Sequence, residues 1–158
     1  KPLRLHLIEA GGSTEGWYGG RLGMNTITRE AAIESLHDHV VSLVAQRWAK
    51  SFQCKVTIKP NAEKHGWAAD KHDPDIIGWQ YSPAGNRVEW IAEVETEESL
   101  SQPQTRGRLQ DHGAMGVPFY LFVPKGYRTV AQLVAMRAGI RLNGIYEYAF
   151  INETFQLS

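Results

Sequence analysis

The chain has 158 residues, 42% hydrophobic and 22% charged, which is enough apolar material for one core of ordinary size and too little length for two large domains. Its 17 basic and 17 acidic residues cancel, which excludes a global field drawing it onto polyanions, and no apolar stretch approaches the ~20 residues that would span a bilayer. The single cysteine, Cys54, excludes an internal disulfide; without a signal-peptide pattern, the cytoplasm is the default expectation.

Residues 1–23 are rich in glycine (Gly11, Gly12, Gly16, Gly19, Gly20, Gly23) and show no sustained periodicity, so they read as an arm or extension ahead of one domain over 24–158. Thr26 supplies cap chemistry for a helix, and Ala32, Ile33, Leu36, Val40, Leu43, Val44 and Trp48 then recur at helical spacing, predicting a long amphipathic helix to about Lys50. From Gln53 to Lys59, Cys54, Val56 and Ile58 alternate with polar residues up to Pro60, the pattern of a half-buried strand. Asp75–Tyr81 and Arg87–Thr96 are rich in β-branched and aromatic residues, and the turn-forming run Ser82–Asn86 joins them as a hairpin.

Ser101–His112 reads as a polar helix with Pro103 in its first turn. Phe119–Val123 is an uninterrupted apolar run, as expected of a strand covered on both faces. Thr129–Ala138 is helical with Gly139 as C-cap, and Ile145–Ile151 is a last strand. The expected order is α, three strands, α, β, α, β.

Chemistry concentrates on the hairpin. Glu93 and Glu95 are two apart on a strand and therefore share a face, beside apolar Ile91 and Val94 where carboxylates are rarely buried without a partner. Such close like charges need a cation, a proton or a basic side chain between them, and a hard divalent ion bound through oxygen fits. Asp75, placed across the hairpin, would complete the cluster.

Pro74-Asp75, a short spacer and Glu93-Val94-Glu95, within that order of elements, resemble the PD-(D/E)XK nuclease superfamily. The likeness runs from about Arg29 to Phe150. It implies a restriction-endonuclease-like α/β fold, with a central mixed β-sheet flanked by helices. It also implies a Mg2+- or Mn2+-dependent nuclease that hydrolyses phosphodiester bonds of DNA, with Asp75 and Glu93 as principal metal ligands. Glu95 stands where the superfamily has lysine; it would complete the coordination or orient the attacking water as a general base. The resemblance further points to Glu34 on the first helix as an additional acid, ahead of Glu30. Gln102, Gln104, Arg106 and Arg108 fall where contacts to the substrate phosphate are expected. Small enzymes of this fold frequently pair, because a duplex has two strands to cut, so a homodimer is allowed.

Two other functions fit the same residues. One is a catalytically inactive nuclease-fold module that binds nucleic acid or a protein partner. The other is a different α/β domain in which Glu93–Glu98 is merely an acidic strand end. His37 and His39 diverge on a helix, and His65, His72 and His112 lack zinc-ligand spacing, which argues against a histidine metal site. Trp48 and Trp90 read as core; Trp67, in a polar loop, reads as a closing or ligand-touching residue. No glycine pair has the context of a phosphate-binding loop, and no nucleophile elbow is present.

Overall fold

The computed structural model of the chain describes residues 23–52, 55–58 and 73–158, with side chains of the first helix described over 36–51. The glycine-rich arm, Cys54, His65, Trp67 and His72, and the side chains of Glu30 and Glu34, lie outside the described residues. In chain order the elements are α1 (Gly23–Phe52), β1 (Lys55–Ile58), β2 (Ile76–Ser82), β3 (Gly85–Val94), α2 (Glu97–Leu100), α3 (Pro103–Gly113), β4 (Phe119–Pro124), α4 (Arg128–Ala138), β5 (Gly144–Ile151) and β6 (Thr154–Leu157). The six strands form one mixed sheet in the order β1-β2-β3-β4-β5-β6. β1, β2 and β3 pair antiparallel in succession, β3, β4 and β5 are parallel, and β6 returns antiparallel along β5.

The α/β class and the expected run of strands and long helices are observed, with two additions. A one-turn helix, α2, precedes the polar helix, which starts at Pro103, and a sixth strand follows β5. β6 forms because Asn152 and Glu153 both take positive φ, 49° and 64°, the backbone of a two-residue hairpin turn. The predicted C-cap at Gly139 is present in left-handed conformation.

Strand alternation splits the core into two layers. Ile76, Trp90, Ala92, Val94, Phe122 and Tyr148 face α1 and its Val40, Val41, Val44 and Trp48. Ile77, Ile91, Phe119, Leu121 and Val123 face the other way, onto Leu109 of α3 and Ala131 and Ala138 of α4. Val94 belongs to the α1 layer, so Glu93 and Glu95 must turn toward α3. That parity fixes which helix can supply their partners.

Trp90 needs a bare backbone opposite it. Gly78 is its cross-strand partner, and a Cβ there would lie 2.1 Å from the Trp90 ring. A rigid indole already packed on Trp48 cannot yield cheaply. Gly78→Ala is therefore expected to cost about 1–3 kcal/mol, the usual range for overpacking, as a shift in denaturant midpoint. An unchanged midpoint would contradict this packing.

Candidate functional site

β2 and β3 are antiparallel, so the start of β2 and the end of β3 meet at one edge of the sheet, beside the carboxyl end of β4. Asp75 enters there just ahead of β2, and Glu93 and Glu95 leave there along β3. All three are buried, with 9%, 2% and 0% of their surface exposed. Asp75 Oδ2 accepts the backbone N–H of Val94 at 2.9 Å, which ties it across the hairpin. The Asp75 and Glu93 carboxyls are near enough to shift each other's ionisation. The three acids thus lie at the same end of the hairpin.

Their other partners come from helices. His37 of α1 places Nε2 3.1 Å from Asp75 Oδ2 and Nδ1 3.2 Å from Asp38. On α3, Arg108 and His112 lie one turn apart on the inward face, where residues i and i+4 are neighbours. Arg108 Nη2 donates to Glu95 Oε1, and its Nε lies 3.7 Å from Glu93 Oε2. His112 brings Nδ1 to 2.9 Å from Glu93 Oε1, a close approach whose angle falls short of a hydrogen bond.

Glu95 is held from several sides. Ser99 Oγ donates to its Oε2, and Tyr148 Oη donates to its backbone carbonyl at 3.0 Å. Ser99 is itself fixed by a reciprocal cap: Thr96 N donates to Ser99 Oγ at 2.8 Å and Ser99 N to Thr96 Oγ1 at 3.1 Å. The short helix α2 therefore clamps the end of β3.

Electrostatics follows from this crowding. Burial, then the charges of Asp75 and Glu95, push the Glu93 carboxyl well above the ordinary glutamate range, and Arg108 offsets only part of that. Burial opposes ionisation of Asp75 as well, but His37, the Glu93 hydrogen bond and the Val94 N–H outweigh it and hold Asp75 below the usual range. The two carboxyls are thus shifted in opposite directions, Asp75 down and Glu93 up. Burial also works against the Arg108 cation, yet Glu95 and Glu93 reverse it and raise its pKa. Tyr148 is pushed up to about 12 by burial and by the nearby Glu95 charge.

A pH dependence follows. Above about 4.5, where an ordinary glutamate ionises, the native Glu93 keeps a proton that the unfolded chain has released, so this group's contribution to stability falls as pH rises until Glu93 itself ionises. Asp75 acts oppositely and only below 3.8, its native pKa being the lower. Glu93→Gln, neutral at every pH, is expected to flatten the decline in Tm between pH 5 and pH 8 in chelator-treated protein, each kcal/mol appearing as roughly 2–4 °C. Parallel melting curves for the variant and the natural protein would contradict it.

Of the residues expected near a phosphate, Gln102, Gln104 and Arg106 are exposed on and just ahead of the first turn of α3, while Arg108 turns inward to the acids. His37, Ser99 and His112 were not singled out as site residues from sequence. The helical spacing of Arg108 and His112 was the available signal for α3; nothing local marks His37 as an Asp75 partner. Among the described residues, no set of three or more His, Cys, Asp or Glu side chains is arranged to hold a metal ion, and no helix is long and apolar enough to cross a membrane. The chain shows no significant match to a protein-family model, a curated protein or a solved structure.

Proposed function

We propose that the chain is a divalent-metal-dependent phosphodiester hydrolase of restriction-endonuclease-like fold, acting on nucleic acid, with DNA as the first substrate to test. The observation that carries this reading is the meeting of Asp75, Glu93 and Glu95 in a buried cluster at the carboxyl ends of the parallel strands, the edge at which open α/β sheets bind ligands. Carboxylates buried this close are costly without a cation.

The residues fit Mg2+ or Mn2+ in donor chemistry. Asp75 and Glu93 offer oxygen only, and Mg2+ commonly takes one or two carboxylates and keeps several waters. The ion would supply charge stabilisation for the phosphate oxygens and a lower pKa for water. Asp75 would serve as the fixed ligand, oriented by the Val94 N–H and by His37. Glu93 would be the second carboxylate ligand. Glu95, oriented by Ser99 and Arg108, would act on the water as base or as its anchor. Gln104 and Arg106, with the exposed Lys125 just after β4, would offer phosphate contacts near that end of the sheet.

A second reading has its own support: Arg108 already neutralises Glu95 and reaches Glu93, as a non-cleaving module that binds nucleic acid or protein would need. A cleavage assay on linear, branched and single-stranded DNA with Mg2+ or Mn2+, run beside binding by fluorescence anisotropy over a salt series, separates the two. Metal-dependent cleavage supports the hydrolase, and salt-sensitive binding without turnover supports the module. Analytical ultracentrifugation with and without duplex DNA tests the proposed homodimer.

A further inference from the structure

Resting on the proposed homodimer, we infer that a second copy of this chain docks on the outer face of α4. The two helices lie antiparallel about a two-fold axis at Leu133, and Arg137 of each copy meets Glu97 and Glu98 of the other.

α4 is held to the sheet by one side only. Ala131, Ala135 and Ala138 are buried, with Val134 half-buried beside them. The opposite side shows Val130, Leu133 and Met136 at 40%, 44% and 68% exposure. These are three of the seven exposed large apolar side chains among the described residues, so apolar surface concentrates on this one short helix. Their spacing of three draws them into one slanting row over about 9 Å of helix. Apolar side chains scattered singly need no cover, but a contiguous row marks an interaction surface.

The charges beside the row identify what covers it. α4 carries Arg128 and Arg137 and no acid. Arg128 is engaged: its Nε lies 3.6 Å from Glu147 Oε2, and its Nη1 donates to the Ile145 carbonyl at 2.8 Å. Arg137 makes no salt bridge among the described residues. It stands two turns from Val130 on the same side of the helix, since seven residues make almost two full turns. Val130 lines a crevice of about 840 Å3 with Leu36, Leu100, Tyr127 and Tyr148, and the exposed acids on its rim are Glu97 and Glu98.

A two-fold axis in the plane of contact and perpendicular to α4 reverses the helix while keeping each of its sides facing the same way. Centred on Leu133, it lays Leu133 on its own copy and brings Arg137 of one chain beside Val130 of the other, at the rim that carries Glu97 and Glu98. Each contact is made twice, the self-complementarity that a two-fold interface requires. The two copies of Arg137 stay about 12 Å apart along the helices, beyond a Debye length at physiological salt. A nucleic acid or an anionic membrane would answer Arg137 and be repelled by the two glutamates, whereas a second copy answers both.

Sedimentation velocity of the full chain over a concentration series, without nucleic acid, tests this. The natural protein is expected to dimerise. Leu133→Glu, which sets two like charges against each other at the axis, should weaken the dimer at least about tenfold. Should Leu133→Glu fail to fold, Met136→Glu changes a side chain that is already mostly exposed and should act in the same direction. Arg137→Glu and Glu98→Arg should each weaken the dimer at least about threefold, and the double variant, which exchanges the two charges, should dimerise more tightly than either. A natural dimer indifferent to Leu133→Glu and Met136→Glu, or a charge exchange no tighter than the single variants, overturns the inference and leaves a homodimer through another surface standing. A natural protein that stays monomeric to about 100 μM overturns the homodimer and the inference together, while the cleavage assay decides the hydrolase independently.

Discussion

Asp75→Ala should reduce Mg2+- or Mn2+-dependent DNA cleavage to the uncatalysed background. The pKa of Asp75 is held low although the carboxyl is buried, so it is the ready-made anionic ligand. It is also the only one of the three that comes from neither β3 nor the residue directly after it, and without it no carboxylate approaches Glu93 from across the hairpin. The truncation removes an acceptor for the buried Val94 N–H too, so part of any loss could come from a weakened hairpin. Asp75→Asn keeps a side-chain oxygen there and removes the charge. Equal loss in both variants, with Tm nearly unchanged in the asparagine form, assigns the effect to metal binding. Undiminished cleavage in the alanine form would reject the proposed role of Asp75.

Trp48→Ala should produce the largest loss of stability of any single truncation proposed here, about 3–5 kcal/mol. Trp48 is the hub of the layer between α1 and the sheet. Its ring meets Trp90 at 5.2 Å, Tyr120 at 4.8 Å, Phe122 at 5.0 Å and Tyr146 at 5.3 Å between centroids, each edge to face. Such pairs add about 0.5–1.5 kcal/mol beyond area burial, and four rings from three strands cannot all collapse into the vacated space. Since a domain of this kind is stable by only about 5–15 kcal/mol, the loss is a large share of the whole. Urea denaturation measures it; Trp48→Phe, which refills most of the volume, should recover more than half. A loss below about 1 kcal/mol for the alanine variant, the level of an ordinary surface substitution, would mean that α1 does not dock on the sheet through this residue.

The hairpin acids were the most legible part of the site. Period-two spacing of Glu93 and Glu95 fixes a shared face whatever the rest of the chain does, and the Pro83-Ala84-Gly85 turn fixes which strand lies opposite. The apolar run at Phe119 likewise required cover on both sides, which α1 on one face and α3 with α4 on the other provide. Other features were hidden for local reasons. The cap at Thr96 uses serine at the position where glutamate or glutamine is the recognisable signal, so nothing local announces α2. β6 follows an Asn-Glu turn rather than Asn-Gly, and a glutamate gives no sign that it will adopt positive φ.

The amino-acid order alone determined an α/β chain, the strands that pair as a hairpin, and a pair of carboxylates condemned to proximity, because these depend on periodicity within a few residues. Which charges answer those carboxylates depended on contacts between segments far apart in the chain, and only the tertiary structure decided it. His37 comes to Asp75 from 38 positions away, and Arg108 to Glu95 from 13. No local pattern records such meetings, because they are set by how α1 and α3 settle on opposite faces of the sheet.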